Sequence, residues 1–176
     1  MKRQTFLSFI FILISFLIIQ CEREKLTDVT VTPGPIITNP EFNANETGIL
    51  ERELYNLVNQ YREVNNLSPL IWSNTISKQC RYHSNDIAWR QIPFGHAGKG
   101  ARLEKIRHTF PNAIGAEIIY QQNSGYQFSQ KAMDSWKQDQ HNNDTLIGNY
   151  QRMGIGIAKS ENGNYVVTMI LIFQKD

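Results

Sequence analysis

Between residues 166 and 173 the chain is apolar at nearly every position. A strand with one wet face alternates apolar with polar side chains, so an unbroken run means that both faces are covered. Upstream, Gly154 and Gly156 lie beside Ile155 and Ile157 in a second strand-like stretch, 151–158. Glycines placed so let another layer approach closely. Asn162-Gly163 between the two runs is a hairpin signal and makes them antiparallel, and 114–120 reads as a third strand. The expected fold is therefore α+β, a three-layer α-β-α sandwich with a small, mainly antiparallel sheet between helices.

The covering helices are legible in the apolar spacing. Leu50, Leu54, Leu57, Val58 and Tyr61 recur with helical period over 48–64, and Asn65, Asn66 and Pro69 close that segment. Ser73 is placed to cap a second helix whose stripe of Ile76, Cys80, Ser84 and Ile87 runs until Pro93 and Gly95. Cys80 then points toward packing. A short third helix is expected over 101–107. A fourth, over 129–140, has Ser129 as its cap, Phe128 and Met133 as a staple around it, and Ala132 and Trp136 facing inward. With 176 residues, 41% of them hydrophobic, the chain can bury a core without staples. Cys21 and Cys80 alone make no internal disulfide framework.

Residues 6–19 are uncharged and mostly apolar behind Lys2 and Arg3. A membrane span needs about 20 apolar residues, so this shorter run reads as a signal peptide occupying 1–20. Cys21 directly after it resembles the lipidation site of bacterial lipoproteins, although Gln20 stands where a small residue is usual. An uncleaved short anchor, or secretion with Cys21 as a passive thiol, are the other readings. Residues 21–47 are polar and hold Pro33, Pro35 and Pro40, which suits an extended tether ahead of a domain at 48–176. The expected location is outside the cytoplasm, anchored by lipid at the cell surface or outer membrane. Lys2 and Arg3 account for the formal charge of +2, and without them 16 basic residues balance 16 acidic ones. A neutral chain with no basic patch gives no footprint for nucleic acid.

Among the four histidines, His96 lies in Phe94-Gly95-His96-Ala97-Gly98 and His141 in an Asn-rich turn, and loops carry sites more often than helix faces do. His83, three residues after Cys80, could pair with it as thiolate and base, but a core cysteine with a helix-side histidine is the simpler reading. Gly95 to Gly100 has neither the spacing nor the Ser/Thr of a P-loop, and no nucleophile elbow, zinc-protease helix or Cys-x-x-Cys occurs.

Several segments resemble, in order, the family uniting cysteine-rich secretory proteins, antigen 5 and pathogenesis-related 1 proteins, the CAP or SCP-like domain, in its bacterial type. Leu57-Val58-Asn59-Gln60-Tyr61-Arg62 with Leu67-Ser68-Pro69-Leu70-Ile71-Trp72 is similar to the family's opening. His83-Ser84-Asn85-Asp86-Ile87-Ala88 resembles its second helix, and Phe94 to Gly98 its histidine loop. Gly115-Ala116-Glu117-Ile118-Ile119 takes the place of "GENI", Trp136 with His141 that of "W..S..H", and 150–156 that of "y..vGvG". Ala116 and Ile118 depart from the motif, as does the shortened interval from Trp136 to His141.

The resemblance implies a cleft lined by His96, Glu104, Glu117 and His141. It implies a divalent-metal site, zinc being the natural candidate, on His96 and His141 with Glu117. A hydrogen-bonded polar cluster tying loops to the sheet is the structural alternative. The family's roles point to a surface-displayed binding module contacting a lipid, a small ligand or a host macromolecule. A metal-dependent hydrolase or peptidase using Glu117 or Glu104 as general base is the competing expectation. A structural envelope protein with a vestigial cleft is the third.

Overall fold

The computed structural model describes residues 43–175, so the leader, Cys21 and nearly all of the expected tether lie outside the described residues. The described chain forms α1 (Glu46–Val64), β1 (Ile71–Trp72), α2 (Asn74–Ala88), α3 (Lys99–Arg107), β2 (Ala113–Gln122), α4 (Phe128–Gln138), α5 (Gln140–Leu146), β3 (Arg152–Lys159) and β4 (Tyr165–Gln174). The sheet runs β1-β3-β4-β2. Only the short β1/β3 pairing is parallel; β3/β4 and β4/β2 are antiparallel. The hairpin turns at Gly163, whose φ of 75° is left-handed, so Asn162-Gly163 reads as expected.

The sheet separates two helical layers. On one face Ile118, Met153, Ile155, Met169 and Leu171 pack with Leu54 and Val58 of α1, Phe128, Met133 and Trp136 of α4, and Leu146 of α5. On the other, Ile170 and Ile172 meet Ile76 and Cys80 of α2 and Ile106 of α3, and Ala158 and Val166 meet Ile87 and Ala88. This is the α-β-α sandwich that the continuous apolar run of β4 requires, because all eight of its residues from Tyr165 to Ile172 are buried.

The two glycines of β3 set how close α2 lies. A Cβ on Gly154 would overlap the backbone nitrogen of Ser77, and one on Gly156 that of Arg81. At this distance Cys80 donates its thiol hydrogen to the Gly154 carbonyl at 3.3 Å, and Ser84 its hydroxyl to the Gly156 carbonyl at 2.7 Å. Past the end of the two-residue β1, side chains take over the open edge of β3: Ile155 N–H donates to Ser77 Oγ and Ile157 N–H to Glu51 Oε1. Edge donors are satisfied without a longer partner strand.

Two local expectations change. Ser129 is not the cap of α4: the helix begins at Phe128 behind Gln127, and Ser129 is fully buried with its hydroxyl on the Leu50 carbonyl of α1 at 3.1 Å. The hydroxyl is turned to a tertiary carbonyl on α1 instead of to the N–H donors of its own first turn. The stretch after α4 folds as a separate helix, α5, capped by Asp139, whose carboxylate accepts from Asn142 N–H at 2.8 Å.

Candidate functional site

β2 presents Glu117 opposite Ile170, and so on the face covered by α2 and α3. The side chain is 3% exposed, and a carboxylate there needs compensation. Arg102 on α3 provides it: Nε donates to Oε2 and Nη2 to Oε1, both at 2.8 Å. This is the planar two-bond fit that guanidinium and carboxylate favour. Arg102 Nη1 donates to the Ala97 carbonyl at 2.6 Å, which ties the histidine loop to the helix. Gly98, at φ 74°, turns that loop into α3, and a Cβ there would stand 3.3 Å from Arg102 Nη1.

His96 completes the cluster, its Nδ1 lying 2.9 Å from Glu117 Oε1 while half of its side chain is in solvent. A carboxylate accepts, so Nδ1 carries a proton. Burial would raise the Glu117 pKa, but the bonds from Arg102 and His96 outweigh it and hold the carboxyl below its ordinary range.

Of the four residues expected to line one cleft, the structure brings His96 and Glu117 together. Glu104 lies two positions beyond Arg102, and about 100° per residue puts it on the opposite side of α3. There it is exposed and pairs with Arg107 at 3.2 Å. His141 is exposed in the first turn of α5, a helix that buries Leu146 in the other layer of the sandwich. Among the described residues no three His, Cys, Asp or Glu side chains gather into a group that could hold a metal. Both oxygens of Glu117 are already engaged, and the Arg102 guanidinium adds positive charge beside them. As arranged, these donors do not fit a zinc site, which takes three or four protein ligands.

Two residues outside the expected tetrad belong to the same region. Arg102 is one. The other is His83, 1% exposed on α2, with Nδ1 3.0 Å from Thr168 Oγ1 of β4 and Nε2 without a hydrogen-bond partner. A buried polar atom left so costs about 1–3 kcal/mol. Burial lowers the His83 pKa, and the nearby charge of Arg102 lowers it further, so the ring is held neutral. Cys80 is not its partner. A cavity of about 510 Å³ opens between α2 and α3, lined by His83 and Arg102 together with Gln79, Asp86, Ala97 and Lys105.

The comparisons with known proteins agree with this architecture. The model of the cysteine-rich secretory protein (CAP) family matches residues 55–173. No curated protein matches in sequence. An outer surface protein of Borrelia burgdorferi is similar in structure, with TM-score 0.62, 16% identity, and coverage of 77% of this chain and 100% of that one. An extracellular SCP-domain protein of Bacillus anthracis gives TM-score 0.60 at 18% identity, covering 78% of this chain and 45% of that one. A cysteine-rich secretory protein of Staphylococcus aureus gives 0.56 at 17%, covering 77% and 42%, so this chain spans less than half the length of the last two. With the family match running from the middle of α1 to the end of the central strand β4, the chain belongs to the cysteine-rich secretory protein family.

Proposed function

We propose that the protein is an exported binding module, held at the cell surface or outer membrane by a lipid on Cys21, that takes its ligand at the polar cleft around His96, Glu117 and Arg102. The observation that carries the reading is the cluster itself. Its ionic pair is buried and satisfied, while the imidazole of His96 is half in solvent and Arg102 lines a neighbouring cavity. Such a site is preorganised to hold a ligand: among the described residues His96 is bonded to the Glu117 carboxylate, and a metal-dependent hydrolase would need a third ligand beside them. Family membership and a leader of signal-peptide length support the location.

The test uses full-length protein in detergent. Thermal unfolding is followed with phospholipid micelles, neutral sugars and zinc, for wild type and His96→Ala, because a ligand of the native state raises Tm. A saturable rise with a lipid or sugar that is lost in His96→Ala supports the reading. A rise with zinc alone, lost in the same variant, would return the cleft to metal chemistry, and no rise with any of them would leave the cluster a structural tie. The anchor is tested separately by whether Cys21→Ser leaves the membrane fraction.

A further inference from the structure

We infer that the outer face of α2, with the turn that follows it, is a membrane-contact surface that lays the domain against anionic phospholipid headgroups. This role shares the membrane location of the reading above and is independent of the cleft ligand.

Helix α2 buries Ile76, Cys80, Ser84 and Ile87 against the sheet, and about 100° per residue then turns Lys78, Tyr82, Asn85 and Trp89 together to solvent. All four are exposed, along a line about 16 Å long. A helix of a globular domain carries polar and charged side chains on that side. Here two of the four are large aromatics, Tyr82 at 53% and Trp89 at 49% exposure. The Lys78 ammonium stands 6.0 Å from the centre of the Tyr82 ring. Phe94, also exposed, extends the patch: with Arg90 it lines a second cavity, of about 550 Å³, at the end of α2. Ile92 lines both this cavity and the one walled by Tyr82 and Lys105, so the surface is continuous.

Charge is unevenly spread over the domain. Residues 74–108 hold seven Lys and Arg against two acidic residues, while the rest of the described chain holds seven against nine. Three of the seven are spent in pairs, Arg81 on Glu51, Arg102 on Glu117 and Arg107 on Glu104. Lys78, Arg90 and Lys105 are exposed and pair with no carboxylate among the described residues. Against them stands Asp86, half-buried in the cavity wall that Tyr82 shares. The aromatic face is therefore also a basic one.

Three occupants compete for it. In a twofold dimer the patch would meet itself and set like charges opposite one another. A protein partner needs a closed apolar core, whereas the Tyr82 and Trp89 positions lie about 10 Å apart along α2 with Asn85 between them. A bilayer surface asks for what is present: Trp and Tyr rings rest at headgroup level, and Lys and Arg reach lipid phosphates. The outward stripe of α2 has no aliphatic residue, which sets the depth of contact at the headgroups.

The experiment uses the exported protein, purified in detergent from the producing cell and reconstituted into vesicles of phosphatidylcholine with phosphatidylglycerol whose acyl chains carry bromine near the headgroup. Trp72 and Trp136 are buried, so bromine reaches Trp89 selectively. The expected result is a blue shift and quenching of Trp89 emission, both reversed at about 1 M salt, where the screening length is about 3 Å. Trp89→Phe should abolish the quenching. Lys78→Glu with Lys105→Glu, both at exposed positions, should abolish it at unchanged Tm while the protein still floats with the vesicles. Flotation at high salt reports the anchor, and quenching at low salt reports the face. Flotation without quenching, or equal quenching in phosphatidylcholine alone, overturns the proposal and leaves the anchor standing. Quenching without salt-resistant flotation would overturn the anchor and support the face; neither would overturn both. A blue shift that grows with protein concentration in the absence of vesicles would give the face to a second copy and overturn the proposal.

Discussion

Replacing Arg102 with alanine takes both guanidinium bonds from Glu117 and leaves a carboxylate that is 3% exposed. His96 remains as its partner, with 51% of that side chain in solvent. Removing one member of a buried ion pair costs on the order of 3–5 kcal/mol, and the water admitted beside His96 puts the expectation at the lower end, about 3 kcal/mol. In a domain of this size one kcal/mol moves Tm by a few degrees, so Arg102→Ala should melt roughly 10 °C lower near neutral pH. The pH dependence gives a sharper test. In the wild type the folded-state pKa of Glu117 lies below its unfolded value, so its stabilisation is present above the unfolded pKa and is lost as pH falls through the folded one. In Arg102→Ala burial is the dominant influence, the folded pKa rises above the unfolded one, and stability is gained as pH falls through that value. The Tm gap between the two proteins should thus be widest near neutrality and narrow on acidification. Thermal unfolding followed by circular dichroism between about pH 4 and about pH 8 spans the carboxylate range. Arg102→Lys, which keeps the charge and loses the two-bond fit, should lie between them. A gap under about 3 °C at neutral pH, or one that stays constant with pH, would refute the account of Glu117 as a carboxylate held by Arg102.

Gly156→Ala should prevent α2 from seating on β3, because its Cβ would overlap the Arg81 backbone. Overpacking of this kind costs about 3 kcal/mol or more, and loss of cooperative melting is the readout. Gly98→Ala should cost about 1–2 kcal/mol from its left-handed φ, with Gly98→Asn milder, as measured by urea unfolding. Cys80 should stay unreactive to an aromatic disulfide reagent in the native protein and react fully in denaturant. Burial first, and the nearby Glu117 charge second, push its pKa well up and away from the thiolate.

What the sequence determined by itself is whatever depends on neighbours along the chain. The periods of α1 and α2, the two-sided burial of β4, the hairpin at Gly163 and the close approach at Gly154 and Gly156 are local patterns with local causes. His96 and Glu117 came from motif order, and they do meet. Tertiary structure decided the rest. A two-residue β1 has no period to detect, and its parallel partner lies some eighty residues later in β3. Only Thr145 and Leu146 of α5 are buried, so its sequence carries no stripe. Ser129 looked like a cap until the Leu50 carbonyl was there to take its hydroxyl. The same holds for the site. Arg102 acquires its role only because β2 delivers Glu117 opposite α3, while Glu104, two residues along, is carried round to solvent by the helical turn. His83 looks like an ordinary helix-side histidine because the residue its ring bonds, Thr168, lies on β4 across 85 positions of chain. Spacing along one segment encodes which face is apolar. Which buried polar groups meet depends on how separate layers are stacked, and no single segment holds that information.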